Sequence, residues 1–319
     1  MKVAIVGRGF GSYAMKPAFE ARGWQADLVP SRDADAVSAA CAGDYDLIAV
    51  HSPPFQHREH VLKAVEAGKA VLCDKPFGKD AADAKAMRDA AKAAGVLHFL
   101  NFEFRFADAR CKVQELIEAV AIGQLVHCHY LSFGSYLRER GYGWLNDASL
   151  GGGWLGALGS HIIDAVRWHS GSEVADCGGI SRVEIARRAG DDGAMHDCTA
   201  EDSFSVWLRT NGGTTVTIDA ASASTADLPQ RMQFLGTDGA IELVDENVVT
   251  LLKKGADPQV FDFSPGPDTP AWPSVYNWIG AVEEALKTGK QITPNFDDGV
   301  ATAEVMDALK ARMVRQPAS

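Results

Sequence analysis

The stretch VAIVGRGFGS places Gly7, Gly9 and Gly11 directly after a strand-like run and ahead of a helical one. Glycines at such a junction allow a tight turn and let the backbone approach a pyrophosphate, which the free N–H groups of the helix N-terminus then stabilise. Ser12 stands where the third fingerprint glycine would fall, and it is small enough to let strand and helix pack. Taken alone, the pattern also suits a glycine-rich turn in some other α/β protein. Arg8, inside the loop, either adds positive charge or points to water. At the end of the second strand, where NAD-preferring enzymes carry an acid for the ribose diol, the sequence reads DLVPSRDAD, with Ser31 and Arg32. A hydroxyl and a guanidinium suit a 2′-phosphate, because arginine binds phosphate through paired charge-assisted hydrogen bonds. The expected cofactor is therefore NADP in preference to NAD. The alternative is that Ser31 caps a helix and Arg32 is solvated.

A second stretch, GGGWLGALGSHIID from Gly151 to Asp164, has five glycines in its first nine residues and then His161 on an apolar run. The imidazole is either a site group or a satisfied core histidine. Asp164, three residues on, can share its face if the helix has begun by then. Other constellations are weaker. His127 and His129 in HCHY lie on one face of a strand, but no third ligand follows at a useful spacing, so a half-exposed strand face is expected and no metal site. His57 and His60 in HREH read as chemistry at a helix start. Arg138, Tyr142 and Trp144 precede the glycine run and either cover a substrate or form an ordinary loop.

The elements that must position these residues change character along the chain. Through about residue 122, short β-branched runs alternate with alanine-rich helical stretches, the pattern of βαβ units with a parallel sheet. The segment between DLVP and DLIAV is short, so the sheet is expected to lack an element there. From 123 to 319, longer strands with hairpin signals at Asn211-Gly212 and Asp238-Gly239 predict a mostly antiparallel α+β domain with two closing helices. The chain of 319 residues thus reads as two domains, α/β in class, the last helix being able to pack back on the first. A hydrophobic fraction of 46% with 23% charge is that of a globular protein, and no apolar run approaches a membrane span. The start MKVAIVGRGF is a fold element and not a signal peptide. Six scattered cysteines without a CxxC pair point to the cytoplasm and away from a zinc ribbon. A formal net charge of -11 repels a phosphate backbone, so nucleic acid is not an expected partner. An open sheet face needs a partner, and a homo-oligomer, dimer or tetramer, is expected through the second domain, with SVWLRT and TTVTIDA supplying apolar residues to both faces.

HSPPFQHREHVLKAVEAGKAVLCDKPFG is the most specific stretch in the chain. With Ser52-Pro53-Pro54, His57, Asp74-Lys75-Pro76, NFEFRF (Asn101 to Phe106), the Gly151–Trp168 run and ITPNFDDG near the end, it resembles the Gfo/Idh/MocA family, named for glucose-fructose oxidoreductase and inositol dehydrogenase. The resemblance implies a Rossmann domain followed by an open-faced sheet domain, with the active site between them. It also implies hydride transfer between NAD(P) and a hydroxyl-bearing carbon of a sugar or polyol. By motif, Phe10, Ser52, Pro53, Pro54, His57 and Asp74 would line the cofactor together with Lys75, and Lys75 would face the reacting oxygen. Asn101, Arg105, Trp144 and His161 would join Lys75 at the substrate. A carbinol becoming a carbonyl loses a proton as it loses a hydride, so a lysine beside that oxygen is chemically apt as acceptor and as electrostatic support.

The chain departs from the family in two places. Asp74 replaces the usual Glu. In the family form GGG-x-L-x-D-x-G-x-H an aspartate precedes the histidine by four residues and orients it, and here that position is Ala157. Three readings follow: a relay through Lys75 and His161 without the aspartate, a substrate that does not need it, or a nucleotide-binding sensor that has stopped catalysing.

Overall fold

The computed structural model describes residues 1–267 and 269–316, which form two units. The first holds Met1–Phe106 and the segment that ends at Glu304. In it the β-branched runs become β1 (Lys2–Val6), β2 (Gln25–Val29), β3 (Leu47–Val50), β4 (Ala70–Cys73) and β5 (His98–Leu100), parallel in the order β2-β1-β3-β4-β5. Between them run α1 (Lys16–Ala21), α2 (Ala34–Ala42), α3 (Pro54–Glu66) and α4 (Ala81–Ala94). Alternate residues of β1 and β3 enter two different cores, Ala4, Val6, Ile48 and Val50 on one face and Val3, Ile5, Leu47 and Ala49 on the other. Their near-continuous apolar sequence follows from burial on both sides. One short helix links β2 to β3, leaving β2 at the sheet edge, as the short intervening segment predicts. From β1 the chain runs to β2 on one side and then to β3 on the other, which opens a crevice outside the C-terminal ends of β1 and β3.

The second unit holds Ala107–Pro267 and the described chain from Val305 on. It contains α5 (Asp108–Glu118), β6 (Leu125–Phe133), α6 (Ser160–Ser170), β7 (Val174–Arg182) and a small hairpin of β8 (Arg187–Ala189) with β9 (Met195–Asp197). There follow β10 (Ser203–Thr210), β11 (Thr215–Ala221), β12 (Arg231–Gly236), β13 (Gly239–Val244), β14 (Val248–Lys253) and β15 (Gln259–Asp262). With β16 (Val314–Gln316), the strands other than the small hairpin form a nine-stranded sheet in the order β15-β14-β13-β12-β6-β11-β10-β7-β16. Only the pairs β6/β11 and β7/β16 in it are parallel. The two hairpin signals lie where expected, between β10 and β11 and between β12 and β13.

The division falls between Phe106 and Ala107, ahead of the 122/123 boundary read from the sequence. Ala109, Val113 and Leu116 of α5 pack into the second unit's core, so the onset of long strands marks a change of element type, whereas the helix before it already belongs with them. α7 (Pro273–Thr288) returns Val275, Trp278, Ile279 and Val282 to a core of the first unit. α8 (Phe296–Arg312) divides between Glu304 and Val305, with Phe296, Val300 and Ala303 in the first unit's core and Val305, Met306 and Leu309 in the second's. All six cysteines are free, and among the described residues no helix is long and apolar enough to cross a membrane.

Candidate functional site

In the first unit the glycine loop lies at the mouth of the β1/β3 crevice. Gly7 has φ +122°, and a Cβ there would lie 2.4 Å from the His51 carbonyl oxygen, so only glycine lets β1 leave the sheet this close to β3. Gly11 is confined by Ile5, at 2.8 Å from a Cβ placed on it, and the chain then winds through a π-helical turn, Gly11–Met15, of a kind frequent at functional sites. Gly9 differs, because a Cβ there would meet nothing within 4 Å. Its lack of a side chain answers no internal packing need. It fits a cofactor pyrophosphate approaching the backbone, and the loop is thereby suited to NAD(P). Phe10 is half-buried, with its ring against Tyr13, His51 and Trp272.

Ser31 and Arg32 occupy the turn after β2, Ser31 half-buried and Arg32 exposed. The helix cap proposed for Ser31 is supplied by Asp33, whose side chain accepts the Ala36 N–H at 2.9 Å, while the Ser31 carbonyl accepts from Gln56 Nε2 at 3.3 Å.

β3 ends in His51 and Ser52, and Pro53 and Pro54 start α3. His57 is fully buried, with Nε2 donating to the Ser52 carbonyl at 2.6 Å. It therefore holds the Ser-Pro-Pro turn, expected to line the cofactor, from within. His60 Nδ1 is 2.9 Å from Ser52 Oγ, so HREH buttresses the same turn. Burial pushes the His57 imidazole down to about 4, outweighing Asp74 and the Ser52 carbonyl, which favour its charge. The folded value lies below the ordinary 6.5, so the unfolded chain takes up the proton first. Stability from this group is complete above 6.5 and falls by about 3 kcal/mol as pH drops towards 4. Denaturant unfolding at stepped pH should show this fall, and His57→Gln should flatten it. A curve unchanged by the substitution would show that His57 is not the group.

β4 ends at Cys73, and Asp74, Lys75 and Pro76 form the next turn, with a cis Lys75–Pro76 bond. Asp74 is buried and Lys75 half-buried. Asn101, at the end of β5 and fully buried, donates from Nδ2 to Asp74 Oδ1 at 3.2 Å. Arg105 is paired with Asp298 at 2.8 Å, both side chains being nearly buried. Asn101 and Arg105, expected to touch substrate, are thus engaged inside the protein.

In the second unit the glycine run is shaped by packing. Gly153 has φ +115°, and a Cβ there would lie 2.2 Å from Glu201 Oε1. Glu201, which nothing in the local sequence marks, is half-buried, and loss of water around it raises its carboxyl above the ordinary value. Its side chain accepts the Leu155 N–H at 3.0 Å and its carbonyl the Trp154 N–H at 2.8 Å, which anchors the turn ahead of α6. That turn, Leu155–Gly159, is π-helical and runs directly into α6, with Ala157 inside the turn and His161 in the helix. His161 is buried in the first turn of α6. Asp164, also buried, lies 3.7 Å from Arg167 Nη1.

Trp144 is half-buried at the start of a short 3₁₀ turn. Ahead of it, the loop is held by Arg188, a second residue without a sequence signal. Its buried guanidinium donates to the carbonyls of Leu137, Arg138 and Arg140 at 2.7, 3.0 and 2.7 Å. Arg138 itself donates to the Ala223 carbonyl at 2.7 Å, and Tyr142 stacks on His196 at 4.7 Å. His127 is bonded to Thr215 at 2.7 Å, and His129 lies 3.5 Å from Asp219, on the sheet face opposite the core.

Two family descriptions match this chain: an oxidoreductase family with an NAD-binding Rossmann fold over residues 31–102, and a GFO/IDH/MocA C-terminal domain over 111–242. The chain is 27% identical to levoglucosan dehydrogenase of Pseudarthrobacter phenanthrenivorans, over 83% of this chain and 77% of that one. It is 26% identical to inositol 2-dehydrogenase of Rhizobium meliloti, over 87% and 80%. A solved levoglucosan dehydrogenase in complex with NADH and L-sorbose shares the fold, with a TM-score of 0.85 at 20% identity over 98% of this chain and 96% of that one.

Proposed function

The chain belongs to the Gfo/Idh/MocA family of oxidoreductases, and from that premise we propose that it is an NAD(P)-dependent dehydrogenase or reductase. Its substrate is the hydroxyl- or carbonyl-bearing carbon of a sugar, polyol or similar small molecule, the kind of compound for which its relatives are named. The observation that carries this reading is the loop at Gly9, open for a pyrophosphate, at the same C-terminal end of the parallel strands as the Lys75 turn. Gly7, Gly9, Phe10, Gly11, Ser52, Pro53 and Pro54 would hold the cofactor, which when bound supplies the hydride acceptor or donor. Lys75 takes the hydroxyl proton in oxidation and returns it in reduction. His161, without a carboxylate at position 157, is an oriented hydrogen-bond partner of the substrate hydroxyl. Trp144 adds an apolar wall for a sugar ring.

We further propose a preference for NADP. Ser31 and Arg32 follow β2, and the nearest acid, Asp33, is engaged in capping α2. NADPH should bind more tightly than NADH, and Arg32→Ala should weaken NADPH by roughly tenfold, the scale of one lost charge-assisted pair. Reduced nucleotide oxidation with a panel of ketoses, aldoses, lactones and inosose-type ketones, run with both cofactors, tests both statements. Equal affinities would remove the NADP preference. Absence of turnover across the panel, with cofactor still bound, would favour the sensor reading that Ala157 keeps open.

A homo-oligomer is proposed through the open sheet face. Ile180, Trp207, Leu235, Leu252 and Val260 are exposed there, on the side away from the core. β11 adds Thr215, Thr217 and Asp219 to that face, so its apolar residues come from the neighbouring strands and not from TTVTIDA. Light scattering should find a dimer or larger at micromolar concentration, and Trp207→Glu should lower the mass; a monomeric wild-type protein would refute this.

A further inference from the structure

We infer that His51 is a positioning residue for the Lys75 turn, acting through the Asp74 carboxylate. The inference rests on the dehydrogenase reading above. Asp74 Oδ1 accepts the Lys75 backbone N–H at 2.9 Å and Asn101 Nδ2 at 3.2 Å, so one oxygen ties the ends of β4 and β5. The other oxygen, Oδ2, lies 3.2 Å from His51 Nδ1, at the end of β3, on a side chain with no exposure. Three strand ends therefore meet at one buried carboxylate.

A carboxylate this deep stays charged only with partners. Burial opposes its charge, and His51 first, then Lys75 and His57, outweigh the burial and hold the group down at about 2. The other titratable group in this nest, Cys73, is kept a thiol by burial. Neither His51 ring nitrogen meets hydrogen-bond geometry with another described residue, so beside the Phe10 ring the approach to Asp74 is the polar contact the ring has. A fully buried imidazole with so little to satisfy it is costly, and such groups call for a role. Here the role is electrostatic and steric: His51 keeps Asp74 anionic and turned toward the Lys75 N–H, which fixes the direction in which Lys75 leaves β4. The inference requires a proton on Nδ1, the ring nitrogen that faces Asp74 Oδ2 at 3.2 Å.

His51→Leu is expected to lower kcat by roughly 10- to 10²-fold, the scale of a displaced catalytic group, with cofactor Kd within about threefold of wild type. His51→Asn, whose Nδ2–H donor sits on Cγ as His Nδ1 does, should recover most of the loss. In an Asp74→Ala background, His51→Leu should add little, because the pair acts as one unit. The spectroscopic arm needs no substrate: ¹⁵N spectra of the apo protein should show His51 protonated at Nδ1, and Asp74→Ala should move the proton to Nε2. Wild-type kcat in His51→Leu, effects of the two substitutions that multiply in full, or a wild-type ring protonated only at Nε2 would each overturn the inference. Absence of turnover in the wild-type protein would defeat the dehydrogenase reading instead, while the tautomer and its response to Asp74→Ala still decide the coupling.

Discussion

Lys75→Ala should lower kcat by roughly 10²-fold or more while leaving cofactor affinity nearly unchanged, the usual cost of removing a general acid or base. The side chain emerges from the turn after β4, and the turn itself is held by backbone and by Asp74, so truncating the side chain leaves its support in place. Lys75→Arg separates charge from proton transfer. A guanidinium keeps the positive charge but cannot surrender a proton in this range, so carbinol oxidation should stay impaired even where binding is preserved. His161→Ala should cost less than Lys75→Ala, since the imidazole is assigned to orientation. Ala157→Asp probes the same chemistry from the other side. The substitution should raise activity on polyol-type substrates by restoring the pair, or carry a steric penalty where that space is already filled. A Lys75→Ala variant with wild-type kcat would remove the proton-transfer assignment outright.

The residues that were legible in the sequence are those whose reason is local. Gly7 and Gly11 stand next to the strand they must clear, and Pro53 and Pro54 start the helix beside them; each follows from a few consecutive letters and the geometry of one turn. That β1 to β5 run parallel is readable because helical stretches alternate with the strand-like runs; their order in the sheet is not. What was not legible depends on partners far along the chain. Glu201 anchors the turn before α6 from 46 residues away, and Arg188 binds three carbonyls 48 to 51 residues before it. No periodicity carries such pairs. His57 is a mixed case: its motif position is plain in the sequence, but its contact with the Ser52 carbonyl depends on how the end of β3 folds around it. The π-helical turn at Leu155–Gly159 is likewise invisible to a reading that assumes one pitch throughout.

Gly7→Ala and Gly9→Ala should part cleanly, one failing in the fold and the other in the cofactor. At Gly7 the added methyl would overlap the His51 carbonyl at 2.4 Å and the Ser52 nitrogen at 2.8 Å, both backbone atoms that cannot swing aside, at a φ of +122°. Left-handed strain and overpacking add, so the substitution should destabilise the first unit by about 3 kcal/mol or more. That corresponds to a Tm lower by roughly 6–12 °C for a unit of this size. Gly9→Ala meets nothing within 4 Å, so its stability should stay within about 0.5 kcal/mol of wild type. The same methyl stands in the space assigned to the pyrophosphate, where close backbone approach is the reason for glycine, and NAD(P)H affinity should fall by roughly tenfold or more. Thermal unfolding and fluorescence titration on the two variants supply both readouts. If Gly9→Ala binds the nucleotide as well as wild type, the open space above Gly9 is not where the pyrophosphate lies, and the cofactor assignment of the loop falls with it.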